Sequence, residues 1–396
     1  MRLMRILVAN DGFNDAGGVQ AYLDAVLAPL EARGHTVALA CPQDAWGDVA
    51  GAARDRFRVT GATFSQDVEP IRRWQPDVCY SHNMQDLAVD AGLTAVAPVV
   101  KFMHGYFGTC IGGLKMHALP NRVACDRAFG AACAALYFPR RCGRLSPTTM
   151  VRDLRWSVSQ RALFDRYAAV VVASGHMHRE YIRNGMSSSR LHTNPLFPTQ
   201  PVDLAPRRVP ADPHVVFLGR MTALKGGDLL VRAVARASVR LGLAVPLTMI
   251  GDGPQRPEWE GLARRLGVRA TFTGWLHGAD RWPHVSSASV LAISSVWPEP
   301  FGLVGLEAAA LGVPAIATDT GGISEWLHDG VNGVLVPAPA SASTFGDLLA
   351  SLLSDPARQA ALRAGALGRA REMSVDAHVS RLTAILHGVI RQGVSP

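Results

Sequence analysis

The sequence contains the stretch Trp297-Pro298-Glu299-Pro300-Phe301-Gly302-Leu303-Val304-Gly305-Leu306-Glu307, which continues into an Ala-rich segment. Pro300 and Gly302 predict a turn, the apolar residues after them predict a helix, and Gly312-Val313-Pro314 predicts its end. The first N–H groups of such a helix, near Gly302 to Val304, have no acceptor inside it. They therefore form a ready site for an anion.

Two carboxylates flank this predicted helix start. Glu299 lies in the loop before it, and Glu307 lies about one turn inside, with a side chain that leans back toward the N-terminus. Two carboxylates beside an anion site suit a ligand that carries both phosphate and hydroxyl groups, such as a nucleotide sugar. Taken alone, the segment also fits an ordinary amphipathic helix with solvated glutamates.

The composition predicts a soluble globular protein of two domains. The chain has 396 residues, of which 48% are hydrophobic and 18% are charged. No apolar run reaches the roughly 18 residues that a membrane span needs. The short run Ile6-Leu7-Val8-Ala9 is predicted to be a buried strand rather than a signal-peptide core. A cytoplasmic location is therefore expected.

The formal net charge of +8 comes mainly from arginine, and much of the excess falls between Lys115 and Arg166. Such a basic stretch predicts peripheral contact with an anionic membrane face, a phosphorylated lipid or an acidic acceptor. A general bias toward arginine is the alternative. Nucleic acid is not an expected partner, because aromatic residues are only 7% of the chain and no recognisable binding module is present.

Four cysteines, Cys110, Cys125, Cys133 and Cys142, lie in the same basic stretch. They lack the paired short spacing of zinc ribbons, so buried thiols are favoured over a metal site. No metal ligand is assigned.

Apolar strands alternate with helices along the whole chain. Strands are predicted at 5–9, 36–40, 77–80, 98–103 and 168–173, and then at 214–218, 247–250, 271–273, 290–293 and 315–317. The alternation predicts an α/β protein with two doubly wound, Rossmann-like domains facing across a cleft. The predicted domains are 1–200 and 201–374, joined by a Pro-rich linker over 196–213. A C-terminal helix near 375–396 can pack back on the first domain.

Two cations are predicted at the ligand-binding edge of the second sheet. Arg220 directly follows a predicted strand, and Lys225 precedes a predicted helix. An ammonium group suits a phosphate as a point charge, and a guanidinium adds bidentate contacts. Two surface cations near a helix start are the alternative.

Glycine turns follow several predicted strands. Gly17-Gly18 after the first strand lets the backbone approach a ligand, and Gly251-Asp252-Gly253 forms a turn in the second half. Gly17-Gly18 does not match the three-glycine dinucleotide fingerprint, and no acidic residue ends the next strand. A nicotinamide dehydrogenase is therefore disfavoured.

Together these pieces resemble the retaining glycosyltransferases of family 4, which have the two-domain glycosyltransferase-B fold. The resemblance covers nearly the whole chain and is most specific from about 214 to 337. The matching pieces are Gly17-Gly18, His104-Gly105, Gly219-Arg220, Lys225-Gly226, Gly251-Asp252-Gly253, Glu299 with Glu307, Gly321-Gly322 and Gly330-Val331-Asn332-Gly333.

The resemblance implies a role for each matched residue. Glu299 contacts hydroxyls of the transferred sugar, and Glu307 binds the ribose of the nucleotide. The diphosphate is held by Arg220 and Lys225 with backbone amides at Gly302, Leu303 and Val304, while Gly17, Gly18 and Gly251 belong to donor-binding loops. His104 faces the transferred sugar. The segment Met103–Arg166 departs from the family pattern, and acceptor recognition is expected to depend on the part from His104 to Arg166.

The expected reaction moves a hexose from a nucleoside-diphosphate sugar to an acceptor hydroxyl with retention of configuration. This reaction is expected to be a step in the synthesis of a cell-surface polysaccharide, a glycolipid or a small glycoside. No carboxylate stands out as a covalent nucleophile, so the acceptor is expected to attack from the side of the leaving phosphate. No Asp-x-Asp motif occurs, so no divalent metal is expected, and no cofactor is assigned. The alternatives are a nucleotide-sugar epimerase of the same fold and a carbohydrate-binding protein without activity.

Overall fold

The computed structural model describes residues 2–13, 18–42, 46, 54–202 and 208–393. It divides into two compact units. The first comprises Met1–Lys115, Asp126–Pro195 and Val375–Pro396, and the second comprises Met116–Cys125 and Leu196–Ser374. The division between the units falls between Pro195 and Leu196, at the start of the predicted linker. The short segment Met116–Cys125 clusters with the second unit instead of the first.

The elements of the described residues follow one another in a strand–helix alternation. The strands are β1 Arg5–Ala9, β2 Thr36–Cys41, β3 Arg56–Arg58, β4 Val78–Ser81, β5 Val99–Met103, β6 Met116–His117, β7 Val123–Ala124, β8 Ala169–Val172, β9 Leu191–Thr193, β10 Val215–Leu218, β11 Leu247–Ile250, β12 Ala270–Gly274, β13 Val290–Ile293, β14 Ala315–Thr318 and β15 Gly333–Val336. The helices are α1 Gly18–Ala32, α2 Phe64–Trp74, α3 Leu87–Leu93, α4 Ala131–Leu136, α5 Pro147–Ala162, α6 Gly175–Arg183, α7 Gly227–Leu241, α8 Arg256–Arg265, α9 Trp282–Ser286, α10 Leu303–Ala310, α11 Ala342–Leu353, α12 Pro356–Glu372 and α13 Val375–Gly393.

Both units are built on parallel sheets, which confirms the predicted fold class. Within the described residues, the strand order is β3-β2-β1-β4-β5-β8-β9 in the first unit and β12-β11-β10-β13-β14-β15 in the second. All pairings in these two sheets are parallel. The order reverses between β1 and β4 and between β10 and β13. Ligands of such sheets bind where the order reverses, at the carboxyl ends of the strands.

The basic stretch does not form a single surface. Lys115 is 1% exposed, and its Nζ lies 2.8 Å from a carboxylate oxygen of the buried Glu180. The antiparallel pair β6–β7 follows it in the second unit, where Arg122 forms an ion pair with Asp228 at 3.1 Å. Lys115 and Arg122 therefore each form an ion pair with a residue of the same chain. Among the described helices, none is both long and apolar enough to cross a membrane.

A buried chain of hydrogen bonds joins α13 to the rest of the first unit. His378 Nδ1 lies 2.8 Å from the carbonyl oxygen of Pro195, which can only accept, so Nδ1 carries the proton. In the neutral ring Nε2 then accepts from the Tyr22 hydroxyl at 2.8 Å, and Tyr22 accepts from Tyr80 at 2.6 Å. Burial is the main reason that the pKa of His378 is lowered to about 4.

This buried histidine predicts a loss of stability in mild acid. Below pH 6.5 the unfolded chain binds a proton at His378 that the folded protein excludes, so the free energy of unfolding falls as the pH decreases toward 4. The largest slope that one such group contributes is about 1.4 kcal/mol per pH unit. Urea unfolding at pH 7, 6 and 5 should show a shallower dependence for His378→Gln than for the wild type. The exposed His277 supplies the control variant His277→Gln. Equal slopes in all three proteins would contradict the prediction.

Candidate functional site

The reversal point of the second sheet brings two loops together. The loop after β10 contains a short 3₁₀ turn over Ala223–Lys225, and Gly226 then adopts a left-handed conformation with φ +61° as the N-cap of α7. The loop after β13 begins at Ser294, whose hydroxyl donates to the Lys225 carbonyl at 2.9 Å. Because Gly226 has no side chain, it supplies no side-chain cap to the N–H groups of the first turn of α7.

Glu299 is the centre of the contacts in this region. Its carboxylate is 4% exposed, and its Oε1 accepts from Lys225 Nζ at 2.7 Å, from Trp297 Nε1 at 3.0 Å and from the Ser295 hydroxyl. Lys225 Nζ also lies 5.6 Å from the centroid of the Trp297 ring. The structure therefore brings the predicted Glu299 and Lys225 into direct contact.

The helix predicted after Glu299 is present. It is α10, which begins at Leu303 after Gly302 with φ +78°, and this N-cap makes no side-chain hydrogen bond. The first-turn amides at Leu303 and Val304 are thus not capped by the residue before them. Two helix starts without a side-chain cap, those of α7 and α10, belong to the loops that follow β10 and β13. Their positive ends favour negative charge.

Glu307 lies on α10 and is 5% exposed. Thr199 donates its hydroxyl to Glu307 Oε1 at 2.8 Å, and the Gln200 side-chain amide donates to the Glu307 carbonyl at 2.5 Å. Burial raises the pKa of this carboxyl group, while Arg281 and the Thr199 hydroxyl oppose the rise. Thr199 lies in the predicted linker and is not one of the predicted site residues. The assignment of Glu307 to a ribose stays a prediction.

Arg220 and Gly251 lie at the same edge of the second sheet. Arg220 is exposed and lies two residues after the end of β10. Gly251 follows β11, and a Cβ atom there would lie 2.1 Å from the Gly219 carbonyl oxygen. Gly251 is therefore required for the close approach of two loops, whatever it contacts in a ligand. Of the first-unit glycines, Gly18 is the first residue of α1, whereas Gly17 lies outside the described residues.

His104 belongs to the first unit and directly follows β5. Its Nε2 lies 3.0 Å from Nδ1 of His82, and its ring lies against Phe102 with a centroid distance of 4.5 Å. Burial, followed by the charges of Lys101 and His378, lowers the pKa of His104 to about 3. His82 is a second histidine at this sheet edge that the sequence analysis did not assign to the site.

The four clustered cysteines are thiols outside any disulfide, and they are half-buried rather than buried. Cys133 Sγ lies 3.8 Å from the Ala128 carbonyl oxygen, and Cys142 Sγ lies 3.8 Å from that of Leu136. In the part of the chain that the structure describes, no group of three or more His, Cys, Asp or Glu residues is arranged to hold a metal ion.

Residues 212–355 match the family model for glycosyl transferases group 1, and this region contains Arg220, Lys225, Glu299 and Glu307. This region is similar to the group 1 glycosyltransferases. A D-inositol 3-phosphate glycosyltransferase of Kribbella flavida is 40% identical over 154 residues, which cover 36% of this chain and 35% of that protein. The chain spans between 35% and 46% of the length of three such curated relatives.

A longer alignment relates this chain to the alpha-D-kanosaminyltransferase of Streptomyces kanamyceticus. The two are 27% identical over 318 residues, which cover 69% of this chain and 81% of that protein. Among solved structures, Anabaena HepE in complex with UDP and glucose has a TM-score of 0.71 at 19% identity, with 97% and 100% of the two chains covered. WaaG, a glycosyltransferase involved in lipopolysaccharide biosynthesis, has a TM-score of 0.66 at 18% identity, with 97% and 100% covered. These likenesses show the glycosyltransferase-B fold.

Proposed function

We propose that this protein transfers a hexose from a nucleoside-diphosphate sugar to an acceptor hydroxyl with retention of configuration. The observation that carries the proposal is the contact between Lys225 and Glu299 beside the uncapped starts of α7 and α10. Anabaena HepE, which has the same fold, is known in complex with UDP-glucose. The group 1 family model covers the region that contains this contact.

The charges of the second unit suit a nucleoside-diphosphate leaving group. Negative charge develops on the diphosphate as the bond to the sugar breaks, and positive charge develops on the sugar. Lys225, Arg220 and the first-turn amides of α7 and α10 supply fixed positive charge for the diphosphate. Glu299 supplies an acceptor for sugar hydroxyls, and Glu307 supplies one for the ribose.

Retention without a covalent intermediate is part of the proposal. Glu299 Oε1 already accepts three hydrogen bonds, and Glu307 Oε1 accepts from Thr199, so both carboxylates have binding contacts rather than the exposed position of a nucleophile. The acceptor hydroxyl would then attack from the side of the leaving phosphate, whose oxygen takes its proton. We propose further that divalent metal is not required, because side-chain cations and helix starts can neutralise the diphosphate.

The proposed function is tested with the purified protein and a set of UDP-, GDP- and ADP-sugars. We expect one nucleotide to raise the thermal unfolding midpoint and its sugar to release free nucleoside diphosphate, in the presence of EDTA as well as without it. The anomeric configuration of the product is determined by NMR. An epimerised sugar without release of nucleotide would contradict glycosyl transfer. Activity that EDTA abolishes and manganese restores would contradict metal independence.

We propose that the first unit, which would bind the acceptor, contacts an anionic membrane surface through α4, α5 and the residues between them. None of the described residues of α4 is buried, and α5 buries only Ser157 and Gln160. Large apolar side chains are exposed in this region, namely Phe138, Leu145, Val151 and Val158. Between residues 126 and 166 the sequence has eight arginines and three aspartates. Exposed apolar side chains among arginines are typical of surfaces that bind anionic lipid.

Removal of two exposed arginines from this surface should weaken lipid binding. Arg141 and Arg155 are both exposed, and each cation near an anionic surface contributes about 1 kcal/mol. The double variant Arg141→Ala/Arg155→Ala should therefore bind phosphatidylglycerol vesicles about thirtyfold more weakly in a sedimentation assay at low salt. Arg264→Ala/Arg265→Ala removes the same charge from exposed positions of the second unit and serves as the control. Equal weakening in both double variants would show that only net charge matters.

A further inference from the structure

Two histidines meet at the carboxyl edge of the first sheet. His82 directly follows β4 and His104 directly follows β5, which is the neighbouring parallel strand. His82 Nδ1 and His104 Nε2 lie 3.0 Å apart, which is a hydrogen-bonding distance. A contact between two ring nitrogens needs one N–H donor and one bare acceptor. The position of a single proton therefore determines what each ring can do.

Both rings are neutral near pH 7. His82 is fully buried, and burial, followed by the titratable groups of His104, Lys101 and His378 around it, holds its pKa well below the usual range. His104 has its pKa lowered to about 3 for the same main reason. Lys101 contributes to both shifts, because its ammonium group is buried nearby in an ion pair with Asp90 at 2.5 Å. Each neutral imidazole carries one proton.

The surroundings of His82 indicate which ring donates. Its other nitrogen, Nε2, is buried and has no hydrogen-bond partner among the residues that the structure describes. An orphaned buried N–H group is rare in proteins, and an unused acceptor lone pair is tolerated more often. The single proton of His82 is therefore on Nδ1 and is donated to His104 Nε2. The single proton of His104 must then be on Nδ1.

We propose that His82 is a positioning residue that holds His104 as the Nδ1–H tautomer, so that His104 offers a hydrogen-bond donor to an oxygen of the bound sugar. Phe102 supports the orientation of the His104 ring at a centroid distance of 4.5 Å, and Tyr22 contacts it edge-on at 5.7 Å. The choice of a sugar oxygen as the ligand rests on the proposed function. The tautomer of His104 is inferred from the contacts of the two rings and does not depend on the proposed function.

The tautomer is measured directly by NMR. Long-range proton–nitrogen correlation spectra of histidine-labelled protein at pH 7 distinguish a protonated ring nitrogen from a bare one. The signals of the two rings are assigned from the spectra of His82→Asn and His104→Asn. We expect the proton on Nδ1 in both rings of the wild type. A proton on Nε2 of His104, or a doubly protonated ring, would overturn the inference even if the protein is an active transferase.

Activity supplies the second readout. In His82→Asn the side-chain amide can donate from nearly the same place as Nδ1, whereas His82→Leu removes the donor. We expect His82→Leu to lower kcat/KM for the sugar donor about tenfold, as the loss of one hydrogen bond would, and His82→Asn to retain most of it. Thermal unfolding shows whether either variant is folded. A folded His82→Leu protein with wild-type kcat/KM, or with an unchanged His104 tautomer, would overturn the positioning role.

Discussion

Lys225→Ala is expected to lower kcat/KM for glycosyl transfer by about a hundredfold to a thousandfold, the range found when one preorganised charge contact to a transition state is removed. The ammonium group of Lys225 lies 2.7 Å from Glu299 Oε1 and follows the strand end where the sheet order reverses. Charge on the leaving diphosphate grows as the bond breaks, so kcat should fall more than the donor KM rises. Steady-state kinetics with the nucleotide sugar found in the binding screen measure both constants.

The fold should survive this substitution. Glu299 keeps its hydrogen bonds from Trp297 and Ser295, so its buried carboxylate is not left without donors. Arg265→Ala removes an exposed cation from α8 in the same unit and should leave the kinetics unchanged. If Lys225→Ala has the turnover of the wild type, Lys225 takes no part in the reaction. If it unfolds at room temperature, the ion pair with Glu299 has a structural role instead.

Gly226→Ala is expected to reduce the free energy of unfolding of the second unit by about 3 kcal/mol or more. A Cβ atom at Gly226 would lie 2.0 Å from the Ser294 carbonyl oxygen, which is backbone and cannot move away as the end of a flexible side chain would. The added methyl group would separate the loops after β10 and β13. Lys225 and Glu299 lie on those two loops, so transferase activity should fall as well.

Gly267 supplies a matched control for backbone conformation. Its φ is +65°, against +61° for Gly226, but a Cβ atom at Gly267 would meet nothing within 4 Å. Gly267→Ala should therefore lower the free energy of unfolding by only about 1 kcal/mol, which is the cost of a left-handed conformation for a residue with a Cβ atom. Chemical denaturation of both variants measures the difference. Similar losses in the two proteins would show that strain at φ, and not the contact with Ser294, explains the effect.

The sequence was sufficient to predict the two parallel sheets and the helix that begins at Leu303. Apolar runs such as Val290–Ile293 are bounded by turns, and a parallel sheet covered on both faces requires such continuous runs. The contact between Glu299 and Lys225 follows from the same topology. Both residues come soon after strand ends, and parallel strands end at one edge of the sheet.

The parts that could not be predicted lack these patterns. Helix α5 buries only Ser157 and Gln160, so its sequence carries no apolar stripe. Hydrophobic periodicity therefore gives no signal for this helix. The sequence places Lys115 in a charged stretch, whereas its contacts with Glu180 and with the Arg127 carbonyl explain why it is buried. The hydrogen bond from Thr199 to Glu307 joins residues 108 positions apart, which no local pattern encodes.

The division of the chain has a consequence for synthesis on the ribosome. The first unit begins near residue 1 but includes Val375–Pro396, so the second unit interrupts it in sequence. During translation, the residues of the second unit up to Ser374 emerge before His378 is available to accept from Tyr22, 356 positions earlier. The second unit can therefore fold while the first unit still exposes the apolar surface that α13 covers. Nascent chains that stall before residue 375 should be the ones that chaperones retain.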